Sequence, residues 1–144
     1  QCQIGLESTI IDLTRKPTIL RPGSITSEKI KKILNETIKI KKISKVFKAP
    51  GQLKLHYSPG IPVKMNRKYP EKNEAFVSFG KKYKEGKNQF NLSKKGSLRE
   101  AANNLYKIMR KIKKANFKSI AVSKIPNIGI GRAINDRLKK ASTT

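Results

Sequence analysis

The clearest pattern of apolar and polar positions lies between Ser97 and Ala115. Apolar residues recur there every three or four positions, which is the spacing of one face of an α-helix. Ser97 stands three residues before Glu100, the pattern of a capping box at a helix N-terminus. The residues expected on the apolar face are Leu98, Ala101, Leu105, Ile108, Ile112 and Ala115. The pattern predicts an amphipathic helix over 97–115.

A second helix is predicted over Arg132–Ala141, and short apolar runs before both helices read as strands. The inward positions of that helix are expected to be Ala133, Ile134, Leu138 and Ala141. The predicted strands are Val63–Met65, Ala75–Phe79, Phe90–Leu92 and Phe117–Val122. Strands that alternate with helices indicate a small α/β domain with a mainly parallel sheet.

The first forty residues have a different pattern, with strands separated by turns. The predictions are a strand over Ile4–Leu13, a short strand over Thr18–Leu20 that returns antiparallel, a helix capped by Thr26 or Ser27 that ends near Leu34, and a half-exposed strand over Ile38–Ile43. The chain starts with Gln, and a strand-like run follows almost at once. We therefore expect it to be a piece of a longer protein.

Composition changes this picture in one respect, the formal net charge of +25. Scattered lysines are typical of a solvated surface, and the same charge also suits a nucleic-acid or phosphate partner. One cysteine excludes an internal disulfide within this chain, and one histidine with few carboxylates argues against a metal site built by it alone. No apolar run is long enough to span a membrane, so we expect no membrane association and a cytoplasmic location.

The segment Ala49–Pro59 holds the only histidine, His56, beside Tyr57. Proline turns at both of its ends prevent a long helix, since proline lacks a backbone donor. His56 can bind phosphate or act as a general acid or base, and Tyr57 can stack on a base or bind phosphate. The residues alone leave two interpretations open, a linker and a ligand clamp.

Two further groups of residues are candidates for binding. Ser8 and Thr9 offer hydroxyls close to Arg21, whose guanidinium suits phosphate or carboxylate, if the first two strands form a hairpin. Ordinary strand and turn residues explain the same pattern. The run Asn127–Ala133 holds Gly-x-Gly before a helix, and a helix-entry turn explains it better than an anion site.

In order along the chain, these motifs resemble one family. Gly-Leu-Glu-Ser-Thr-Ile-Ile-Asp at 5–12, Ile-Leu-Arg-Pro-Gly at 19–23, and Pro-Gly at 50–51 leading to His-Tyr-Ser-Pro at 56–59 are similar to the long, two-domain form of threonylcarbamoyl-AMP synthase. The run 129–138 resembles the closing helix of the accessory domain of that family. Ala49 departs from the serine usual before Pro-Gly.

The resemblance implies a fold and a reaction. The fold would be the tail of a YrdC-like α/β catalytic domain over 1–43, a linker over 44–62, and a small Rossmann-like α/β accessory domain over 63–144. Family members combine L-threonine, bicarbonate and ATP, usually with Mg²⁺, to give threonylcarbamoyl-AMP and pyrophosphate for tRNA modification. Partners could include tRNA or other tRNA-modification proteins.

The resemblance also implies roles for four residues and none for a catalytic group. Ser8 would contact L-threonine, Arg21 would contact ATP, and His56 and Tyr57 would close over the nucleotide phosphates. The lysine, arginine, serine and asparagine motifs of the family's N-terminal half have no counterpart here, so we expect the isolated chain to be an inactive C-terminal fragment. The alternative is a basic RNA-binding or regulatory α/β module without catalysis.

Overall fold

The computed structural model describes residues 5–40, 60–84 and 86–142 of the chain. This part of the chain forms seven strands and three helices. They are β1 Ile10–Asp12, β2 Thr18–Arg21, α1 Ser27–Leu34, β3 Lys39–Ile40, β4 Val63–Lys64, β5 Glu74–Ser78, β6 Gln89–Asn91, α2 Leu98–Lys114, β7 Ser119–Val122 and α3 Gly131–Ala141.

Strands β4 to β7 form a parallel sheet in the order β4–β7–β5–β6. The central strands β5 and β7 are almost entirely buried, because helices follow β6 and β7 and a parallel sheet of this kind is covered by its helices. The predicted α/β class and mainly parallel sheet are confirmed. Each predicted strand of this half is present, displaced at its ends by one or two residues.

Helix α2 begins where the capping pattern predicts. The Ser97 side chain accepts a hydrogen bond from the backbone N–H of Glu100 at 3.3 Å. The return bond of a capping box is replaced by a relay through Ser93. The Ser93 hydroxyl donates to the Glu100 carboxylate at 2.6 Å and accepts from the Ser97 backbone N–H at 2.9 Å. Sequence spacing identified the cap, whereas Ser93 belongs to the loop after β6.

One apolar core lies between the parallel sheet and helices α2 and α3. The four inward positions predicted for α3 are buried, and α2 buries Ala101, Ala102, Leu105, Met109 and Ile112. Ala115, predicted on the apolar face, is exposed because α2 ends at Lys114. One member of this core comes from the start of the chain: Leu6, which is 1% exposed.

Strands β1, β2 and β3 form a second, smaller sheet in that order. The antiparallel pairing of β1 with β2 and the helix over Ser27–Leu34 capped by Thr26 are confirmed. The strand predicted over Ile4–Leu13 is wrong in length, since regular pairing covers only Ile10–Asp12. Gly5, Leu6 and Glu7 lie before it, outside the sheet, and contact α2 and α3. Within the described part of the chain, none of the helices is long and apolar enough to cross a membrane.

Candidate functional site

Ser8 and Arg21 lie side by side, as the hairpin pattern predicts. The Arg21 Nε donates a hydrogen bond to the backbone carbonyl of Ser8 at 3.1 Å. The Arg21 side chain is buried at the end of β2, whereas Ser8 is exposed just before β1. The contact fixes the Ser8 backbone. The Ser8 side chain lies at the surface, where a ligand can reach it.

Thr9 stabilises the same corner through hydrogen bonds of its hydroxyl to the backbone. Its hydroxyl donates to the carbonyl of Ile25 at 2.6 Å and accepts from the N–H of Ile25 at 3.1 Å. Gly23 lies so close to this strand entry that an added Cβ would be 2.4 Å from the carbonyl oxygen of Glu7 and the nitrogen of Thr9. The Arg-Pro-Gly turn is therefore a close backbone contact, and Thr9 is held by it.

The run before α3 is a helix-entry turn, as the sequence favoured. The N–H groups of Gly131, Arg132 and Ala133 donate to the carbonyls of residues 128, 129 and 130 at 2.8, 3.3 and 3.0 Å. Since these donors are engaged within the turn, they do not point to an anion.

A cleft of about 780 Å³ separates the Arg-Pro-Gly corner from the parallel sheet. Pro22, adjacent to Arg21, and Ile40 form one wall, and residues that follow β4 and β7 form another. The polar lining comes from Asn66, Lys124, Asn127, Arg132, Asn135, Asp136, Lys139 and Ser142. Clefts at the carboxyl ends of parallel strands are where open α/β sheets bind ligands.

An ion-pair network that the sequence analysis missed joins the start of the chain to the helices. The Glu7 carboxylate accepts from Arg137 Nε at 2.9 Å and from the Tyr106 hydroxyl at 2.9 and 3.0 Å. Arg137 Nη1 and Lys140 Nζ each donate to Asp136 at 2.7 Å. Burial favours the neutral acid, but the backbone hydrogen bond and the Arg137 and Tyr106 contacts outweigh it and lower the pKa of Glu7.

One sequence signal could have revealed this network. Arg137 follows Ala133 by four positions and precedes Ala141 by four, so it falls on the apolar face of α3. A charged residue at a buried position needs a partner, because an unpaired buried charge is costly. The spacing indicates that a carboxylate must face Arg137, but it does not say which one.

The remaining sequence-predicted residues add little to this geometry. His56 and Tyr57 lie outside the described residues, as does the whole bracketed segment 49–59. Among the described lysines, all but Lys64 and Lys140 are exposed, and they are spread over both halves of the chain. This spread suits a solvated surface, and the hypothesis of an RNA partner stays a prediction.

The described residues form an α/β domain with a parallel sheet and a smaller unit of three strands and one helix. The chain belongs to the family described as threonylcarbamoyl-AMP synthase, C-terminal domain, whose model matches residues 25–143. The match includes part of the segment that we assigned to a catalytic domain, and the boundaries at 43 and 62 stay a prediction.

Two relatives support this membership. The chain is 33% identical to the threonylcarbamoyl-AMP synthase of Pyrococcus abyssi over 161 aligned positions, covering 99% of this chain and 47% of that protein. It is 26% identical to the threonylcarbamoyl-AMP synthase of Bacillus subtilis, covering 96% of this chain and 46% of the relative. The chain thus spans about half the length of the curated relatives it matches.

Solved structures agree with the sequence comparison. The crystal structure of P. abyssi Sua5 complexed with L-threonine matches with a TM-score of 0.81 and 29% identity, over 97% of this chain and 46% of that one. A variant of P. abyssi Sua5 in which a histidine and the following tyrosine are both alanine matches with a TM-score of 0.77 and 28% identity, over 99% of this chain and 46% of that one.

Proposed function

We propose that the chain is the C-terminal part of a threonylcarbamoyl-AMP synthase. In the proposed reaction the amine of L-threonine takes up bicarbonate with loss of water to give a carbamate. A carbamate oxygen then attacks the α-phosphorus of ATP, the bond to the bridging oxygen of the β-phosphate breaks, and pyrophosphate leaves. The product, threonylcarbamoyl-AMP, supplies the threonylcarbamoyl group for modification of tRNA, and the location that we propose for the enzyme is the cytoplasm.

The observation that carries the proposal is the contact between Arg21 and Ser8. The resemblance assigned these two residues to ATP and L-threonine, and the fold brings them within hydrogen-bond distance. A carbamate formed on L-threonine must reach the α-phosphate, so their binding groups must be neighbours. The L-threonine complex of the similar P. abyssi structure supports the same substrate.

Exposed apolar side chains near the start of the chain support the proposal that a further part of the catalytic domain packs against it. Among residues 5–40, several apolar side chains remain exposed on or beside the smaller sheet and α1, and the buried ones are Leu6, Ile19 and Ile30. Those exposed are Leu13, Ile25, Ile33, Leu34 and Ile40. So small a core does not sustain an independent domain. We propose that the remainder of a YrdC-like catalytic domain covers this face.

The resemblance assigns His56 and Tyr57 to a linker that would close over the ATP phosphates, a lid role that would keep water from the carbamate. In the variant P. abyssi structure an adjacent histidine and tyrosine are replaced by alanine, and His56 and Tyr57 are an adjacent pair of the same kind. Mg²⁺ enters only as the companion of ATP. Among the described residues no three His, Cys, Asp or Glu side chains converge as a metal site, so none is assigned to it.

The proposal is tested with a fusion protein. The part of the P. abyssi relative that this chain does not match would be joined to the start of this chain, and pyrophosphate release would be measured with ATP, bicarbonate and L-threonine. We expect threonine-dependent release from the fusion and none from the isolated chain. Robust release from the isolated chain would overturn the fragment hypothesis, and no release from a folded fusion would overturn the assignment of function.

Matched variants localise the site within the active fusion. Ser8→Ala is expected to raise the KM for L-threonine, and Arg21→Lys the KM for ATP, because a lysine lacks the planar fork of arginine. Glu71→Gln is the control, since this exposed residue on the loop before β5 pairs with Lys64 and has no contact with Ser8 or Arg21. If Ser8→Ala and Glu71→Gln behaved alike, Ser8 would have no part in binding.

A further inference from the structure

The first described residues, Gly5–Glu7, pack against helices α2 and α3 and form what we call the N-terminal latch. Gly5 has a positive φ of 66°. An added Cβ would lie 2.9 Å from the Asn103 Cα and 3.1 Å from the Ala102 carbonyl oxygen, both on α2. Glycine therefore permits the backbone of the latch to touch the helix directly.

Leu6 inserts into the core of the parallel-sheet domain. It is 1% exposed and belongs to the same apolar cluster as residues of α2, α3 and the sheet. In this cluster Leu6 is the sole contribution from the described residues that precede the bracketed segment. The latch is thus part of the accessory domain in packing, although it belongs to the other end of the chain in sequence.

Glu7 adds directional contacts to this apolar anchor. Arg137 is 1% exposed at the side chain, and its Nε bonds the Glu7 carboxylate, which Tyr106 also contacts from α2. A buried guanidinium that loses one carboxylate partner keeps its desolvation cost, so this contact is strongly held. Glu7 is therefore tied to both helices at once.

Ser8 follows Glu7 directly and is fixed on its other side as well. Arg21 holds the Ser8 carbonyl, and Gly23 packs against the backbone on both sides of Ser8. The backbone of Ser8 thus lies between contacts with the smaller sheet and contacts of Glu7 with the helices. The orientation of the Ser8 side chain depends on both sets of contacts.

We infer that Glu7 is a positioning residue, which ties the L-threonine site at Ser8 to the accessory domain through Arg137 and Tyr106. The inference rests on the proposed function, because that function gives Ser8 its substrate. In this arrangement the accessory domain stabilises one side of the L-threonine site. This role is separate from the covering of the nucleotide by the linker.

The kinetic test uses the fusion protein with Arg137→Met, which keeps the aliphatic volume and removes the charge. We expect the KM for L-threonine to rise about tenfold, the scale of a lost charged hydrogen bond. The KM for ATP should change by less than about twofold, because the backbone of Arg21 stays paired with β1 at Ile10. Glu7→Gln, which retains an acceptor oxygen, should be milder than Glu7→Ala.

The matched control is Glu28→Ala. Glu28 on α1 forms an ion pair with Arg132 on α3, so it also joins the two parts of the chain, but it lies twenty residues beyond Ser8. The KM for L-threonine should not change in this variant. A rise equal to that of Arg137→Met would mean that any loss of contact between the two parts has this effect, and would overturn a specific role for Glu7.

A second arm does not depend on activity. Hydrogen exchange of the 144-residue chain, read by mass spectrometry, should accelerate in the peptide covering 5–12 in Arg137→Met, with exchange in β5 unchanged. If β5 also accelerates, Tyr106→Phe, which removes one hydroxyl, gives the deciding comparison. Unchanged exchange at 5–12 in both variants overturns the latch, whereas an inactive wild-type fusion with the expected exchange overturns the proposed function alone.

Discussion

Leu6→Ala is the most direct test of how the two parts of the chain are joined. Leu6 is buried in the core of the parallel-sheet domain, although it precedes that domain by more than fifty residues. Leucine-to-alanine changes at such sites cost about 2.7–5 kcal/mol, from lost transfer free energy and the cavity left behind. We expect about 3 kcal/mol, or roughly 6–12 °C in Tm for a chain of this size.

The assay is urea unfolding of the 144-residue chain followed by far-UV circular dichroism, with thermal unfolding as a second measure. Leu13→Ala is the matched control, because it makes the same chemical change at a side chain that is 64% exposed. It should alter the free energy of unfolding by less than about 0.5 kcal/mol. Equal effects of the two variants, at an unchanged dependence on urea, would refute the packing of Leu6 in this core.

Three further predictions concern stability. Gly23→Ala should lower the free energy of unfolding in urea by more than about 2 kcal/mol, because the added Cβ would strike the backbone before β1. Gly86→Ala, whose added Cβ has no contact shorter than 3.6 Å, should be neutral or slightly stabilising. Equal effects of the two variants would contradict the close approach. Glu74→Ala should cost about 1–3 kcal/mol by removing a buried acceptor, against less than about 0.5 kcal/mol for exposed Glu71→Ala, and a neutral Glu74→Ala would refute this. The hydrogen bond from Arg132 lowers the pKa of Glu28 to about 2. The stabilisation of the folded chain by this ion pair is therefore complete above the ordinary pKa of 4.5 and is lost as the pH falls toward 2. Glu28→Gln should flatten the loss of stability over that range, and an unchanged pH profile would exclude this pair as a contributor.

The exposed apolar side chains of the smaller sheet give the two parts of the chain different characters. Residues that follow Gly60 form one core between sheet and helices, to which Leu6 is added from the start of the chain. Residues 10–40 form three short strands and one helix around Ile19 and Ile30, and they depend on neighbours for burial. This difference supports the proposal that catalysis requires the fusion protein.

The sequence determined the local elements, because helix and strand periodicities report which face of each element is buried. Helix α2, its Ser97 cap and the inward face of α3 follow from spacing alone. The proximity of Ser8 to Arg21 also followed, since a short antiparallel connection places the two strand ends together.

Only the tertiary structure decided how distant segments meet. Glu7 and Arg137 are 130 positions apart, and no periodicity relates them. Their pairing arises because Gly5–Glu7 lie outside the smaller sheet and pack on α2 and α3. The same departure shortened the strand expected over Ile4–Leu13. Spacing indicated that Arg137 faces inward, but the choice of its carboxylate partner depends on the packing of the whole domain.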